Sequence, residues 1–309
     1  MAARHSYRLF DVTLTRRTQV SPSLVRFTFT GPEVNQMATH APDQRIKLFF
    51  GEAPGSLDAL FDVVHQHQDE WYAAFRALPE AKRPAMRTYT IRALRPESAE
   101  VDVEFVLHGD TGPASRWAMR AQPGDRLAMT APIAGPESAQ VGFEWKPPRD
   151  VRRILLVADE TALPAAAGII EQLAERAGPA RVDALIEMPL RGDVQALPSS
   201  AQVHWLPRDA TPGCAHGEHL LRAVRDIDLR YEIVALGGKA ESSETIDEPA
   251  TDQAFWEAAT VDDSAPFYAW VAAETKVALG IRRYLVNECG LPKRYVTSMG
   301  YWCEGKVLG

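Results

Sequence analysis

The chain has 309 residues, 46% hydrophobic and 24% charged, the make-up of an ordinary globular protein of about two domains. A formal net charge of −7 weighs against the basic surface that nucleic-acid binding needs. No run approaches the ~20 apolar residues of a membrane span, and Met1–Tyr7 lacks the apolar core of a secretory signal. Three widely spaced cysteines (Cys214, Cys289, Cys303) give neither a disulfide framework nor a zinc pattern. A cytoplasmic monomer is expected, without nucleic-acid partner or membrane insertion.

Strand signals fill the first half. Tyr7–Leu14, Leu24–Thr30, Ile46–Phe50, Thr88–Arg92, Val101–Leu107 and Arg126–Thr130 are rich in β-branched and aromatic residues. Gly31-Pro32, Pro123-Gly124-Asp125 and Gly135-Pro136 punctuate them as turns. In the fifth run Val101, Val103 and Phe105 fall on one face, Asp102 and Glu104 on the other. Six short strands of this kind predict a sandwich or small barrel. Residues 56–81, with Trp71 and Phe75 in a polar helical pattern, read as an insertion covering one end.

Residues 134–150 contain Gly135-Pro136 and Pro147-Pro148 and are the expected linker, dividing the chain into 1–146 and 147–309. Beyond it strands and helices alternate. Strand Arg153–Ala158 leads to a helix over Leu163–Ala177, with Pro164 in its first turn and Gly178 as its cap. Strands follow at Arg181–Met188 and Gln202–Leu206, a helix at His219–Arg225, and further strands at Tyr231–Leu236 and Phe267–Ala272. A helix over Thr275–Cys289, stopped by Gly290 and Pro292, precedes a last strand at Tyr295–Tyr301. This order predicts a parallel sheet with helices on both faces. Residues 241–263 hold eight acidic residues and no Lys or Arg, which predicts a solvated, mobile insertion with a short helix around Phe255-Trp256. The rest of the chain sums to +1, so the acidic surplus does not speak against an anionic ligand.

Two segments can carry chemistry. In Arg87-Thr-Tyr-Thr-Ile-Arg92 a tyrosine at a strand end has arginines two before and three after it. Such a ring can stack on a planar group while guanidinium groups hold phosphate; a surface strand with chance alternation is the other reading. His108-Gly-Asp-Thr-Gly-Pro-Ala-Ser-Arg-Trp-Ala118 is a glycine-bearing turn that enters a helix at Ser115. Free N–H groups at such a helix start cradle a pyrophosphate, unless the turn is only a capped connection. His216-x-x-His219, with Cys214 before it, is the nearest approach to a metal set and reads as a polar helix start.

The chain resembles the siderophore-interacting protein family, the flavin-dependent ferric-siderophore reductases of the ferredoxin–NADP reductase superfamily. The motifs that carry the resemblance occur in order: Arg87-x-Tyr-Thr-x-Arg92, Gly112-Pro-Ala-Ser-Arg-Trp-Ala118, Pro123-Gly-Asp125, Ala158-Asp-Glu-Thr-Ala-Leu-Pro-Ala165 and Gly300-Tyr-Trp302. It spans nearly the whole chain, the acidic insertion excepted. It implies a two-domain protein: an N-terminal antiparallel β-barrel that binds FAD, then a C-terminal α/β parallel-sheet domain for NAD(P)H. By motif position it assigns Arg87, Tyr89, Thr90 and Arg92 to the isoalloxazine and phosphates. His108 and Asp110 flank the flavin tail, Gly112, Ala114 and Ser115 donate to the pyrophosphate, and Trp117 packs behind that turn.

In the second domain the resemblance turns Thr161 toward nicotinamide and flavin, with a plain helix start stabilised by Asp159 or Glu160 as the other reading. Glu274 lies near the dinucleotide, or else caps a helix. Glu187, ending the second strand, favours a free ribose 2′-hydroxyl, whereas Arg191 and Arg208 could pair with a 2′-phosphate, so NADH and NADPH both stay open. Lys47 and Trp302 are assigned to the substrate opening. Cys303 stands where family members often carry a basic residue, a charge that Lys306 could supply instead. The family's other basic pocket residue has no counterpart in Ala131–Pro136.

The expected function is therefore that of a flavin-dependent ferric-siderophore reductase. Hydride passes from NADPH or NADH to FAD, then single electrons to a ferric siderophore, releasing Fe(II) that oxygen-rich chelators hold less strongly. No general acid or base is demanded, so no residue is singled out as catalytic, and no resident metal is expected. Lys47 and Lys306 are the candidates for attracting an anionic chelate. The alternatives are a flavin or ferredoxin-type reductase with another acceptor, and a flavin-loaded siderophore-binding protein that does not turn over.

Overall fold

The computed structural model describes residues 6–67, 70–107, 109, 112–135, 138–176, 180–237 and 255–305. The chain divides into two compact units, 1–143 and 144–309. The division falls just before Glu144 because that segment bonds into the second unit: Trp145 Nε1 donates to Gln172 Oε1 at 2.9 Å, and the Tyr268 hydroxyl donates to the Glu144 carbonyl at 2.8 Å.

The first unit is one antiparallel sheet of β1 (Tyr7–Ser21), β2 (Leu24–Thr30), β3 (Arg45–Phe50), β4 (Ala85–Thr90), β5 (Ala93–Arg95), β6 (Glu100–Val106) and β7 (Arg126–Pro132). The strand order is β4-β3-β7-β1-β2-β6-β5. β5 is the strand the sequence does not announce; three residues are too few for a period. The sheet rolls until its ends meet through side chains rather than a hydrogen-bond ladder. Tyr89 on β4 lies 4.2 Å from Phe105 on β6, ring centre to ring centre. The result is a half-barrel with a side-chain seam. Phe10, Phe27, Phe29, Phe50 and Phe105 are at most 1% exposed and form its core.

The carboxylate face of β6 is not left to water. Asp102 accepts both Nη groups of Arg95 at 2.8 Å and the Thr28 hydroxyl at 2.7 Å, and Glu104 accepts Arg26. Both acids are buried because each has cationic and hydrogen-bonded partners. Helices α1 (Ser56–His67) and α2 (Trp71–Ala77) cover the outer face as the insertion, burying Leu60 and Phe75 against Leu9, Phe49 and Ala128. α3 (Pro113–Arg120) is anchored by Trp117, whose ring lies 5.2–6.0 Å from those of Phe27, Phe29, Phe50 and Phe105.

The second unit contains β8 (Arg153–Ala158), β9 (Arg181–Met188), β10 (Ala201–Pro207), β11 (Trp256–Glu257), β12 (Phe267–Glu274) and β13 (Val296–Trp302), in the order β10-β9-β8-β12-β13-β11. Five strands are parallel. β11 runs antiparallel on the edge, which makes the sheet mixed. The strand order reverses between β8 and β12, so the crevice at their carboxyl ends is the expected ligand position of an open α/β sheet. β8 and β12 are buried throughout, as parallel strands covered on both sides must be. α4 (Leu163–Glu175) packs on β8, while α5 (Glu218–Asp226) and α7 (Thr275–Arg283) share a core with Leu155 and Val157. α7 runs on into a π-type turn over Tyr284–Glu288.

Two expectations are corrected here. The run Tyr231–Leu236 is not a strand: Arg230–Ala235 is the helix α6. Tyr231 and Val234 are 77% and 79% exposed, which a central strand would not permit, and Glu232 pairs with the buried Arg153 at 3.0 Å. β8 is flanked by β9 and β12. Phe255-Trp256 is likewise no helix; Trp256 begins β11, held by stacking on Tyr301 at 6.1 Å and by donation to Glu144 at 3.1 Å. Residues 238–254, most of the acidic insertion, lie outside the described residues, as does Gly178. No helix among the described residues is long and apolar enough to cross a membrane.

Candidate functional site

In the first unit the two motif segments meet on one aromatic platform. Tyr89 and Trp117 both pack against Phe105, which brings the end of β4 and helix α3 together. Antiparallel pairing sets Arg87 opposite Leu48 and Tyr89 opposite Ile46, on the inward face of the sheet. Arg87 is half-buried and donates to the Met86 carbonyl at 2.8 Å; burial lowers its affinity for its proton. Burial pushes the Tyr89 phenol up, so it stays neutral. Thr90 is buried at the strand end, and Arg92 lies 3.7 Å from Glu104. Lys47 stands on the opposite face from Arg87 and Tyr89, where its ammonium donates to Thr88 Oγ1 at 3.2 Å, and burial lowers its pKa.

Gly112 precedes α3 in extended conformation, φ 175°, with Pro113 opening the helix and Ala114 and Ser115 both 8% exposed. A Cβ built on Gly112 meets no atom within 4 Å, so the space ahead of the helix start is open. His108, Asp110 and Lys306 lie outside the described residues.

In the second unit the carboxyl ends of β8, β12 and β13 are clipped together by Asp159. This carboxylate is fully buried. Oδ1 accepts the Thr161 N–H at 2.9 Å and the Thr161 hydroxyl at 2.5 Å. Oδ2 accepts the Glu274 N–H at 2.8 Å and the Trp302 indole N–H at 2.9 Å. Thr161 is thus turned back on Asp159 as an Asx-type turn that starts the loop into α4. Glu274 caps α7, accepting Lys276 N at 2.6 Å and Val277 N at 3.2 Å. Thr275 Oγ1 donates to the Trp302 carbonyl at 2.8 Å, fixing the end of β13.

Glu160 and Glu187 share Arg208. Its guanidinium makes a fork on Glu160 at 2.8 and 2.8 Å and reaches Glu187 Oε1 at 3.1 Å. Glu187 also accepts the N–H groups of Gly217 at 2.7 Å and Leu220 at 3.3 Å. Fully buried and filled with donors, Glu187 has no free oxygen for a ribose hydroxyl, and Arg208 is spent on carboxylates; neither fits the nucleotide role expected of it. Arg191 is exposed and opens the turn Arg191–Asp193 that follows β9, its guanidinium 3.5 Å from the Ala210 carbonyl.

Burial works against the charge of Glu160, but Arg208 and His216 outweigh it and hold the carboxyl at about 2. Its stabilisation is complete above the ordinary carboxylate range and is lost as pH falls through about 2. Arg208→Ala should therefore destabilise the protein at pH 7 by more than at pH 2.5, measured by urea unfolding. An equal loss at both would show that the pair does not hold the loop.

One cluster is absent from the sequence reading. His216 packs edge-on against Trp302, 4.9 Å between ring centres at 81°, with Nε2 3.5 Å from Glu160 and 3.6 Å from Asp159. Its partners are scattered along the chain, and only the fold assembles them.

Residues 13–136 match the family model of the siderophore-interacting FAD-binding domain, and residues 151–305 that of the siderophore-interacting protein. The chain belongs to the siderophore-interacting protein family. It is 31% identical over 305 residues to the NADPH-dependent ferric-chelate reductase of Escherichia coli, covering 97% of this chain and 94% of that protein. It is 25% identical over 301 residues to the ferric vibriobactin reductase ViuB of Vibrio cholerae, covering 97% and 90%. The siderophore-interacting protein SipS of Aeromonas hydrophila superposes with a TM-score of 0.63 at 27% identity, covering 98% and 93%.

Unit 1 of this family member fits FAD on its own geometry. The open space at Gly112 lies before a helix start, whose N–H groups favour an anion, and the Arg87-x-Tyr89-Thr90 set sits on the same platform.

Proposed function

We propose that the protein is an FAD-dependent ferric-siderophore reductase that draws its electrons from NADPH. The observation that carries this reading is the family match across both units, joined to a phosphate-ready helix start beside an Arg-x-Tyr-Thr strand end. When bound, FAD supplies the conversion of a two-electron donor into single electrons. The balance is one NADPH and two Fe(III) giving NADP⁺, two Fe(II) and one proton.

The chain's own residues bind and orient. Ala114 and Ser115 at the start of α3 hold the pyrophosphate through backbone N–H groups, Arg87 neutralises phosphate, Tyr89 offers its ring, and Thr90 offers a hydroxyl at the strand end. In the second unit the Thr161 loop and the end of β13 receive the nicotinamide at the β8/β12 crevice. Arg191 takes the 2′-phosphate, because Glu187 and Arg208 satisfy each other. Lys47 attracts an anionic chelate by charge alone. Reduction weakens the chelate's hold on iron, since hard oxygen donors prefer Fe(III).

Anaerobic addition of NADPH to the FAD-loaded protein should bleach the flavin's visible absorption. A ferric chelate with an Fe(II) trap should then restore it while the trap takes up two irons per NADPH. No bleaching with either NADPH or NADH would refute the reductase reading. Arg191→Ala should raise the KM for NADPH about tenfold, the loss of one charge-assisted contact, and leave that for NADH alone. A proportionate change with both nucleotides would remove Arg191 from the 2′-phosphate.

A further inference from the structure

The Asp159 cluster contains a histidine that the reaction, as derived above, does not use. His216 sits on a turn that has little freedom to move. Gly217 has φ +78°, its N–H is held by the buried Glu187, and a Cβ at that position would collide with the Val277 side chain. The imidazole is therefore fixed perpendicular to the Trp302 ring with Nε2 facing two carboxylates.

The charges around it decide its protonation. Asp159 and Glu160 face the ring, Glu187 accepts the N–H of the adjoining Gly217, and Arg208 is the cation that reaches Glu160 and Glu187. With a neutral imidazole, Arg208 serves Glu160 and Glu187 while Asp159 is left with hydrogen-bond donors and no cation. Three of the four donors on Asp159 are N–H groups that cannot reverse, so the proton of the His216–Asp159 pair belongs on the ring. Burial opposes the charge on His216, but Glu160 and Asp159 outweigh it and raise the imidazole above its ordinary value.

We propose that His216 is a positioning residue: as the imidazolium it clamps Trp302 and the Asp159–Thr161 loop, setting the carboxyl edge of the sheet for nicotinamide. The clamp bridges the ends of β8 and β13 from a third element, the turn before α5. Loss of its proton leaves Asp159 and Glu160 facing each other without their shared cation, and Trp302 loses a charged neighbour at 4.9 Å between ring centres. The clamp itself stands on the second unit alone; its catalytic consequence rests on the reductase reading.

Protonated imidazole quenches excited indole, so Trp302 reports the clamp directly. Emission of the FAD-loaded protein is followed from pH 5 to 9, and the signal of Trp302→Phe is subtracted. The difference should rise severalfold with a midpoint above about 6.5, and the step should vanish in His216→Gln. A flat wild-type difference, or a step that survives in His216→Gln, overturns the clamp. In parallel, the rate of flavin reduction by NADPH should fall at alkaline pH with the same midpoint. His216→Gln should lack that limb at all pH values, and His216→Lys should restore part of the acid-side rate. An emission step with no reduction at any pH sinks the reductase reading and leaves the clamp standing. Active enzyme whose pH profile is unchanged in His216→Gln refutes the positioning role.

Discussion

Asp159→Ala should lower the stability of the protein by about 2–4 kcal/mol, among the largest losses available to a single side chain outside the apolar cores. The reason is the number of donors it leaves behind. Thr161 N–H, Glu274 N–H and the Trp302 indole N–H all point at this carboxylate from separate segments, and the first two are backbone groups that cannot rotate away. Removing the acceptor strands them in a buried site and also leaves His216 without one of its two counter-charges. Asp159→Asn keeps the shape but turns an N–H₂ toward donors on one side, so it should recover only part of the loss. Thermal unfolding would show this as a drop of about 5–15 °C. A double-mutant cycle with Trp302→Phe would isolate the bond to the end of β13. A loss below about 1 kcal/mol, the worth of one ordinary hydrogen bond, would mean that packing rather than the carboxylate holds the crevice.

What the sequence discloses and what it hides follow from the range of the interactions. The strand end at Arg87–Thr90 and the helix start at Gly112–Ser115 are readable as elements because each is a local object set within a few residues. β8 and β12 are readable because a parallel strand buried on both faces is a continuous apolar run. Tyr231–Leu236 shows the limit of that rule. A short run of this kind, apolar but for Glu232, reads as strand or helix, and here Glu232 reaching Arg153 and the solvent around Tyr231 favour the helix. Glu187 misleads for a related reason. Its position at the end of the second strand is a ribose-binding position in other sheets, but the turn at Gly217 and the side chain of Arg208 consume it. The Asp159 cluster is not legible at all, since its bonds join residues 115 and 143 positions apart. Asp159 and Trp302 both belong to recognisable motifs, yet nothing in either motif says that they touch.

Gly112→Val should cost FAD affinity at least about tenfold, or about 1.4 kcal/mol, while the FAD-free protein keeps its stability within about 0.5 kcal/mol. The two halves of that expectation come from different observations. Gly112 is extended, φ 175°, a conformation open to any residue, so the fold makes no demand for glycine there. A side chain there meets no atom within 4 Å, so the FAD-free protein accommodates it, whereas in the proposed site it stands beside the pyrophosphate. Arg87→Ala should also weaken FAD, by about 10-fold or more, because it removes the half-buried guanidinium that the proposed site sets against phosphate. Gly217→Ala gives the opposite pattern. Its φ of +78° and the Val277 side chain lying where a Cβ would stand make glycine a structural requirement, so stability should fall by about 1–3 kcal/mol with FAD affinity unchanged. Isothermal titration of FAD into apoprotein, paired with urea unfolding of the same preparations, separates the two. If Gly112→Val bound FAD as the wild type does, the space before α3 would not be where the pyrophosphate lies. The anion would then have to be held by the strand-end arginines without the helix.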